Sequence, residues 1–509
     1  MSRKRVIGAA VLAVWVVVLG VHVRRQYFKP ESAMLALGAG TLAPGTYFYV
    51  VRMNDAAMGL ASSRLDTVPD GFLSEEVLTL DVPAMDTVHQ AVVRTEVRLG
   101  SALQLRSFRF SLDSEIGRYR VEGTAAGDSL LDLSVTTGGR TQRSMVPLGG
   151  AVLPGALPLR LAASGRMRVG QSYGARMFDP STLAGRDTQV RVTARDTLIV
   201  PDSAVQEPAT GRWRAAGWDT VPAWRVEESY GGVSVTSWLD QDGRIVKATS
   251  PLGFTLDRTT YELANQAWRG ARGQASLASG YGTVIESTAI ASNVDLSDAR
   301  DRDTLAVRLS NVDLSGFDLA GGRQHLRGDT LVVRAERASA LSADYRLPYR
   351  GGGEAADALG ATPLIQSTDP RIEASAKKAV GGTTDPVLAA RRLNDWVYHR
   401  LRKRITLSVP NATQVLEGGE GDCNEHTVLY VALARAVGLP ARTAVGLVYI
   451  RGRFYYHAWP EVWLGRWIAV DPTLGQFPAD ASHLRFINGG LARQVELIRL
   501  IGRLRLEVL

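Results

Sequence analysis

Three residues in the last quarter of the sequence have the types and the order that nucleophilic catalysis requires. Cys423 lies in Gly421-Asp422-Cys423-Asn424-Glu425-His426, His457 in His457-Ala458-Trp459, and Asp471 in Asp471-Pro472-Thr473. A thiol, an imidazole and a carboxylate supply a nucleophile, a base and a group that fixes the imidazole tautomer and stabilises its charged form. Cys423 is the single cysteine of the chain, which leaves no internal disulfide framework and no cysteine-rich zinc site. Taken one at a time, the three have bland readings: an inert buried thiol, a satisfied strand histidine and a turn aspartate before proline. Only the combination completes a triad. Asp422, Glu425 and His426 beside Cys423 invite a metal reading, but four ligands from one helical turn cannot all point inward. Glu425 and His426 read instead as capping or lining a helix start, and no metal is expected.

The elements that must carry these residues are legible from periodicity. Val428, Leu429, Ala432, Leu433, Ala436 and Val437 recur at helical spacing, and Gly438-Leu439-Pro440 ends the run. Cys423 therefore falls at the first turn of a helix, where free backbone N–H groups and the helix dipole favour a thiolate and can hold a developing oxyanion. His457 lies in an aromatic and β-branched run ending at Trp463, and Asp471 closes a second run from Arg466, with Gly465 between them as a turn residue. A two-residue turn at Leu464-Gly465 sets His457 opposite Pro472, one position from Asp471, so a bulge or another turn length is needed to complete the match. Trp459 shares a strand face with His457 and is the candidate substrate-binding residue, with aromatic core packing as the competing reading.

Four blocks together, Gly421 to His426, Ala434-Arg435-Ala436-Val437-Gly438-Leu439-Pro440-Ala441-Arg442, His457-Ala458-Trp459-Pro460-Glu461-Val462 and Trp467-Ile468-Ala469-Val470-Asp471-Pro472-Thr473, resemble the core of the transglutaminase-like superfamily. The resemblance runs over residues 365–480. It implies a papain-like α+β fold, Cys423 as nucleophile, His457 as general base and acid, Asp471 as its partner, and no metal or organic cofactor. The family holds amide hydrolases, protein cross-linking enzymes and inactive members. The expectation is attack on amide bonds of proteins or peptides through a thioester, resolved by hydrolysis in preference to amine transfer. The alternative is an inactive binding or assembly module at the cell envelope. The upstream tryptophan that donates to the oxyanion in the family is not assigned here, since Trp396 matches neither its motif nor its spacing; Trp396 falls on one helix face with Ala389, Leu393, Val397 and Leu401 and reads as core.

The rest of the chain frames this core. At 509 residues and 45% hydrophobic content it is globular and long enough for two or three domains. Residues 1–29 read as an N-terminal membrane anchor: Arg3-Lys4-Arg5 precedes an apolar run at 6–23, about 27 Å long as a helix. A cleaved signal peptide is the other reading, although no Ala-x-Ala site follows. Basic residues before the run favour a cytoplasmic N-terminus and a catalytic domain outside the cytoplasm, at the inner membrane. Residues 30–268 alternate apolar with polar positions and predict a largely antiparallel β-rich domain with one wet face. Residues 269–350 comprise a linker and a small β-rich segment, in which Ser292-Asn293-Val294-Asp295-Leu296-Ser297 recurs as Ser310-Asn311-Val312-Asp313-Leu314-Ser315. Residues 351–483 form the transglutaminase-like domain, and 484–509 a tail whose Leu497, Leu500, Ile501 and Leu504 suggest an amphipathic helix. The net charge of +8 is spread over scattered arginines without an aromatic stacking ladder, so no nucleic-acid partner is expected. Substrate protein or peptide and the membrane are the partners the sequence suggests.

Overall fold

The computed structural model describes residues 31–509 apart from 54, 85–86, 115–116, 128, 138, 231–232, 252, 273–287 and 405–408. The run at 6–23 expected to span a membrane lies outside the described residues, and among the described residues no helix is long and apolar enough to cross one. Of the linker expected from residue 269 onward, residues 269–272 end the helix Tyr261–Arg272 and 273–287 lie outside the described residues.

The alternating segments of the N-terminal half become strands, because a period of two puts every second side chain on one face. Fourteen strands form one antiparallel sheet. Its centre is Gly45–Met53, which pairs with Ala56–Val68 on one side and Phe254–Thr259 on the other, Val50 standing opposite Leu60 and Asp257. From there the sheet grows hairpin by hairpin to Arg140–Pro147 at one end and Ser172–Asp179 at the other. The two ends are brought together: Val152, just beyond the first, bridges Met177 of the second in parallel, with its N–H on the Arg176 carbonyl at 2.9 Å. The curled sheet closes around the helix Ala156–Ala163, which buries Leu157, Leu159 and Leu161. Phe108, Phe110, Tyr119, Val121, Leu131 and Leu133 are among the buried residues packed inside with it. The expected wet face is the outer one, where Arg109 meets Glu96 and Glu122 in exposed pairs worth roughly 0–1 kcal/mol each.

The C-terminal part is an α+β core. The helices Pro370–Val380 and Pro386–Arg400 begin where Asp369 and Asp385 cap them with proline in the first turn. The second ends at Arg400, because Arg402–Lys403 leaves to pair in parallel with Glu420–Gly421 immediately before Cys423. The cysteine helix Cys423–Ala436 packs Leu429, Val431 and Leu433 into a core shared with both helices. Its sheet runs Ile290–Ala291, Arg453–Trp463, Ala441–Ile450, Leu484–Asn488, with Trp467–Ala469 paired beside Trp463.

The small β-rich segment packs on the sheet that carries His457: Ile290 pairs with Phe454, and Leu305, Val307, Leu331 and Val333 share a core with Val445, Leu447 and Phe486. One expectation is corrected. The tail is not a single helix. Leu484–Asn488 is the last strand of that sheet, paired with Ala441–Ile450, a short helix Leu491–Gln494 and the 3-10 turn Val495–Leu500 follow, and Arg505–Val508 pairs with Thr304–Ser310. Leu497, Leu500 and Leu504 are buried as a helical face would be, but Leu506 and Val508 are buried at strand spacing, which a helix pattern cannot accommodate. The repeated hexapeptide has a matching structural use. Asp295 and Asp313 each accept the N–H two residues on, while the Asn293 and Asn311 amides donate to the carbonyls of Val508 and Arg503, pinning the C-terminal strand.

The two parts touch next to the site. Val409 packs into the core of the large sheet, the Gln414 amide donates to the Arg118 carbonyl at 3.0 Å, and Arg140 pairs with Asp369 at 3.0 Å. The segment leading to Cys423 therefore rests on the β-rich domain.

Candidate active site

Asp422 caps the cysteine helix. Its carboxylate accepts the Asn424 N–H at 2.8 Å, and Glu425 reaches back to the Asp422 N–H at 3.0 Å, a complete capping box. These carboxylates are thus occupied at the helix start, as the sequence suggested for Glu425. His426 hydrogen-bonds the Asp422 carbonyl through Nδ1 at 2.7 Å. Burial holds its pKa below the usual imidazole value, leaving a neutral ring whose buried Nε2 has no partner among the described residues.

The histidine strand has an outer edge that Ile290–Ala291 covers at Phe454 and Trp467–Ala469 covers at Trp463. Cys423 sits in the gap between: its Sγ accepts the backbone N–H of Ala458, the residue after His457. The cap, the helix and the open strand edge together bring the thiol to the backbone of the residue that follows the histidine. Burial pushes the Cys423 thiol well above its ordinary value, the Asp422 carboxylate adds to this, and the Ala458 N–H works in the opposite direction. A thiolate stabilised by the helix start was the expectation; loss of hydration outweighs the dipole here, and the resting sulfur is protonated.

The expected pairing of His457 with Asp471 is present at 2.8 Å between Nε2 and Oδ2, although the register differs. The turn has three residues, Leu464-Gly465-Arg466, so that Trp463 faces Trp467 and Glu461 faces Ala469. Asp471 reaches His457 by leaving the strand. It forms an isolated bridge with Gln476, and its Oδ1 accepts the N–H groups of Thr473 and Leu474 at 2.7 and 3.0 Å. Gly475 closes that loop at φ +66°, where a Cβ would lie 2.9 Å from the Tyr398 ring. Behind His457 stands Gly446, its sheet partner; a Cβ there would lie 1.9 Å from the Leu484 carbonyl oxygen, so glycine admits the neighbouring strand.

A residue that sequence reasoning missed completes the arrangement. His483, fully buried, places Nε2 3.0 Å from the same Asp471 oxygen and Nδ1 3.1 Å from Asp480. Burial alone would raise the Asp471 carboxyl, but the two imidazoles outweigh it and hold the group far below the carboxylate range. Asp480 is likewise held low against its burial, by His483 and Ser482. Burial would lower His483, yet the hydrogen bonds and charges of Asp471 and Asp480 raise it, so it bridges two carboxylates as an imidazolium. With Nε2 of His457 donating to Asp471, its Nδ1 is the lone-pair nitrogen, and no hydrogen bond joins it to another described residue. The only sequence clue to His483 was a second histidine shortly after Asp471 in a chain with seven.

Trp459 is 1% exposed, which corrects its assignment as a substrate contact: it has no surface to offer. It packs with Ala444, Ala469 and Ala479, stacks beside His457 at 6.1 Å and meets His483 edge-on at 5.2 Å. It therefore fixes the ring planes of both histidines. His457, Asp471 and His483 are also the set whose ligand atoms gather within 4.8 Å, donor types that a divalent metal accepts. Their separations of 2.8 and 3.0 Å are hydrogen-bond lengths, and the arrangement is explained as a proton network.

One prediction follows from His483. The folded state binds its proton more tightly than the unfolded chain, so the stabilisation is fully present below about pH 6.5, the ordinary imidazole value, and fades as pH rises through the elevated folded value. The stability difference between the wild type and His483→Gln, measured by urea unfolding, is expected to be larger at pH 6 than at pH 9.

The site and fold define a domain that presents a helix-borne cysteine to a histidine on the edge of an antiparallel sheet. Residues 373–472 match the family described as the transglutaminase-like superfamily, and the chain carries a transglutaminase-like domain there. No curated protein matches the sequence. Among solved structures, a candidate cysteine protease from Cytophaga hutchinsonii is 16% identical, with 40% of this chain and 83% of that one covered at a TM-score of 0.28. A β-barrel-like protein domain of unknown function from Brucella abortus is 14% identical, with 43% and 95% covered at 0.30. The periplasmic domain of TgpA from Pseudomonas aeruginosa, bound to ethylmercury, is 17% identical, with 34% and 73% covered at 0.24. Likenesses at these scores assign no activity.

Proposed function

We propose that this chain is a cysteine-dependent enzyme that hydrolyses amide bonds of proteins or peptides through a thioester on Cys423. The observation that carries the reading is the His457–Asp471 pair, at 2.8 Å, on a strand whose next residue donates its N–H to Cys423 Sγ. As a substrate carbonyl approaches, His457 Nδ1 takes the thiol proton and the sulfur attacks the carbonyl carbon. The Cys423 N–H, at the helix start and outside the capping box, receives the oxyanion. The imidazolium, stabilised by ionised Asp471, then protonates the leaving nitrogen; the C–N bond breaks and a thioester remains. Water adds to the thioester carbon as it gives a proton to His457, and the sulfur leaves with that proton. His483 donates to Asp471 throughout and holds it in place.

Amine transfer shares the first half of this sequence but also requires a place that holds the amine and excludes water. Water is therefore the acceptor proposed, being the simpler requirement. A non-catalytic binding or assembly module is the competing reading, favoured by the raised Cys423 thiol. The apolar run at residues 6–23 is taken as an anchor that holds the domain outside the cytoplasm. Incubation with a peptide library in heavy-oxygen water, with and without a primary amine, separates the readings. Heavy oxygen in a new carboxylate supports hydrolysis, an isopeptide product shifts the assignment to transfer, and unchanged peptides leave the binding module.

A further inference from the structure

The interior of the large sheet is not filled. Between its strands and the helix Ala156–Ala163 lies a cavity of about 390 Å³, walled by Leu78, Val93, Leu157 and Leu239 and, among the polar groups, by the carboxyls of Glu76 and Glu228. Its size falls at the small end of the ~300–1,000 Å³ typical of small-molecule sites.

The two carboxyls set it apart from a packing defect. Glu76 projects from Gly71–Ala84 and Glu228 from Trp213–Tyr230. Glu76 is wedged against the start of the interior helix, where a Cβ on Gly155 would stand 2.3 Å from Oε1. Neither carboxyl has a hydrogen bond or ion pair with a described residue. The guanidinium in the wall, Arg244, points to the carbonyls of Ala43 and Gly45 and over the Tyr47 ring, while Arg258 is paired with Asp240 at 2.9 Å. Burial pushes both Glu76 and Glu228 up, the response of an acid without a countercharge. An apolar cavity with two unpartnered acids lacks what a cation would bring, and an anion placed there would lose its hydration with no donor directed at it from either acid in its ionised form.

We propose that this cavity binds a single-chain apolar molecule bearing a primary ammonium group, which pairs with Glu76 or Glu228 while its hydrocarbon lies against Leu78, Val93, Leu157 and Leu239. The site is separate from the Cys423 centre and does not depend on the activity proposed for it.

Isothermal titration of the full chain with hexylamine, hexanol and hexanoate compares heads of different charge on one chain length. Saturable hexylamine binding at least about tenfold tighter than hexanol, with hexanoate weaker still, is expected. Glu76→Gln or Glu228→Gln should weaken hexylamine by about tenfold or more. Removing an unpaired buried acid should not lower the thermal midpoint, which verifies folding. Equal binding of hexanoate, no saturable hexylamine binding up to ~1 mM, or wild-type affinity in both variants would overturn the assignment. The three wild-type titrations stand even if a variant fails to fold.

Discussion

Replacing Cys423 by alanine is expected to lower amide-bond cleavage by about 10⁴-fold or more, because without the sulfur no thioester forms and only binding and oxyanion contacts remain. The fold should survive. Cys423 is half-buried at the mouth of its helix, the capping box of Asp422 and Glu425 does not involve the thiol, and truncation at such a site costs roughly 1 kcal/mol. Turnover measured on the peptide found in the library screen, together with circular dichroism, checks both halves. Residual activity within tenfold of the wild type would remove Cys423 from the chemistry.

The second large effect is expected at Asp471. Its two oxygens accept four hydrogen bonds, two from imidazoles and two from backbone N–H groups. Asn would present an NH₂ group to donors already in place, so at least one partner must turn away. If His457 turns, its tautomer is no longer fixed with Nδ1 free, and turnover should fall on the order of 10⁴-fold. Asp471→Asn should also weaken the hold on His483, whose proton affinity is raised by Asp471 and Asp480 together. Proton NMR of the histidine rings should then place the His483 titration at lower pH than in the wild type. A large activity loss with an unmoved His483 titration would mean that the two histidines do not share this carboxylate.

The order Cys, His, Asp and the helix around residues 423–437 were readable because each depends on local pattern: an apolar 3.6-residue period, a Gly-Leu-Pro stop, two aromatic-rich strands. The pairing of His457 with Asp471 was readable only to within one residue. A run through Leu464-Gly465-Arg466 permits turns of two or three residues, and the choice comes from packing at Trp463 and Trp467, 5.4 Å apart. His483 escaped because its role depends on sharing an oxygen with Asp471 after an irregular loop, which no period encodes. The tail misled for a related reason: Leu497, Leu500 and Leu504 carry helical spacing, while the partner that makes a strand of Arg505–Val508 lies about two hundred residues upstream. The helix-start argument for a thiolate treated Cys423 as solvated, and burial reverses its sign. Trp459 was placed on the correct strand face, but a strand face can look toward a core as well as toward substrate.

The central claim is a covalent acyl group on Cys423. Intact-mass measurement of the full chain, acid-quenched during turnover of a cleaved library peptide, tests it most directly. The account predicts a mass increment equal to the acyl portion of the peptide, released by hydroxylamine, mapped by fragmentation to Cys423 and absent in Cys423→Ala. Cleavage that proceeds with no adduct at Cys423, and equally fast in Cys423→Ala, would contradict it.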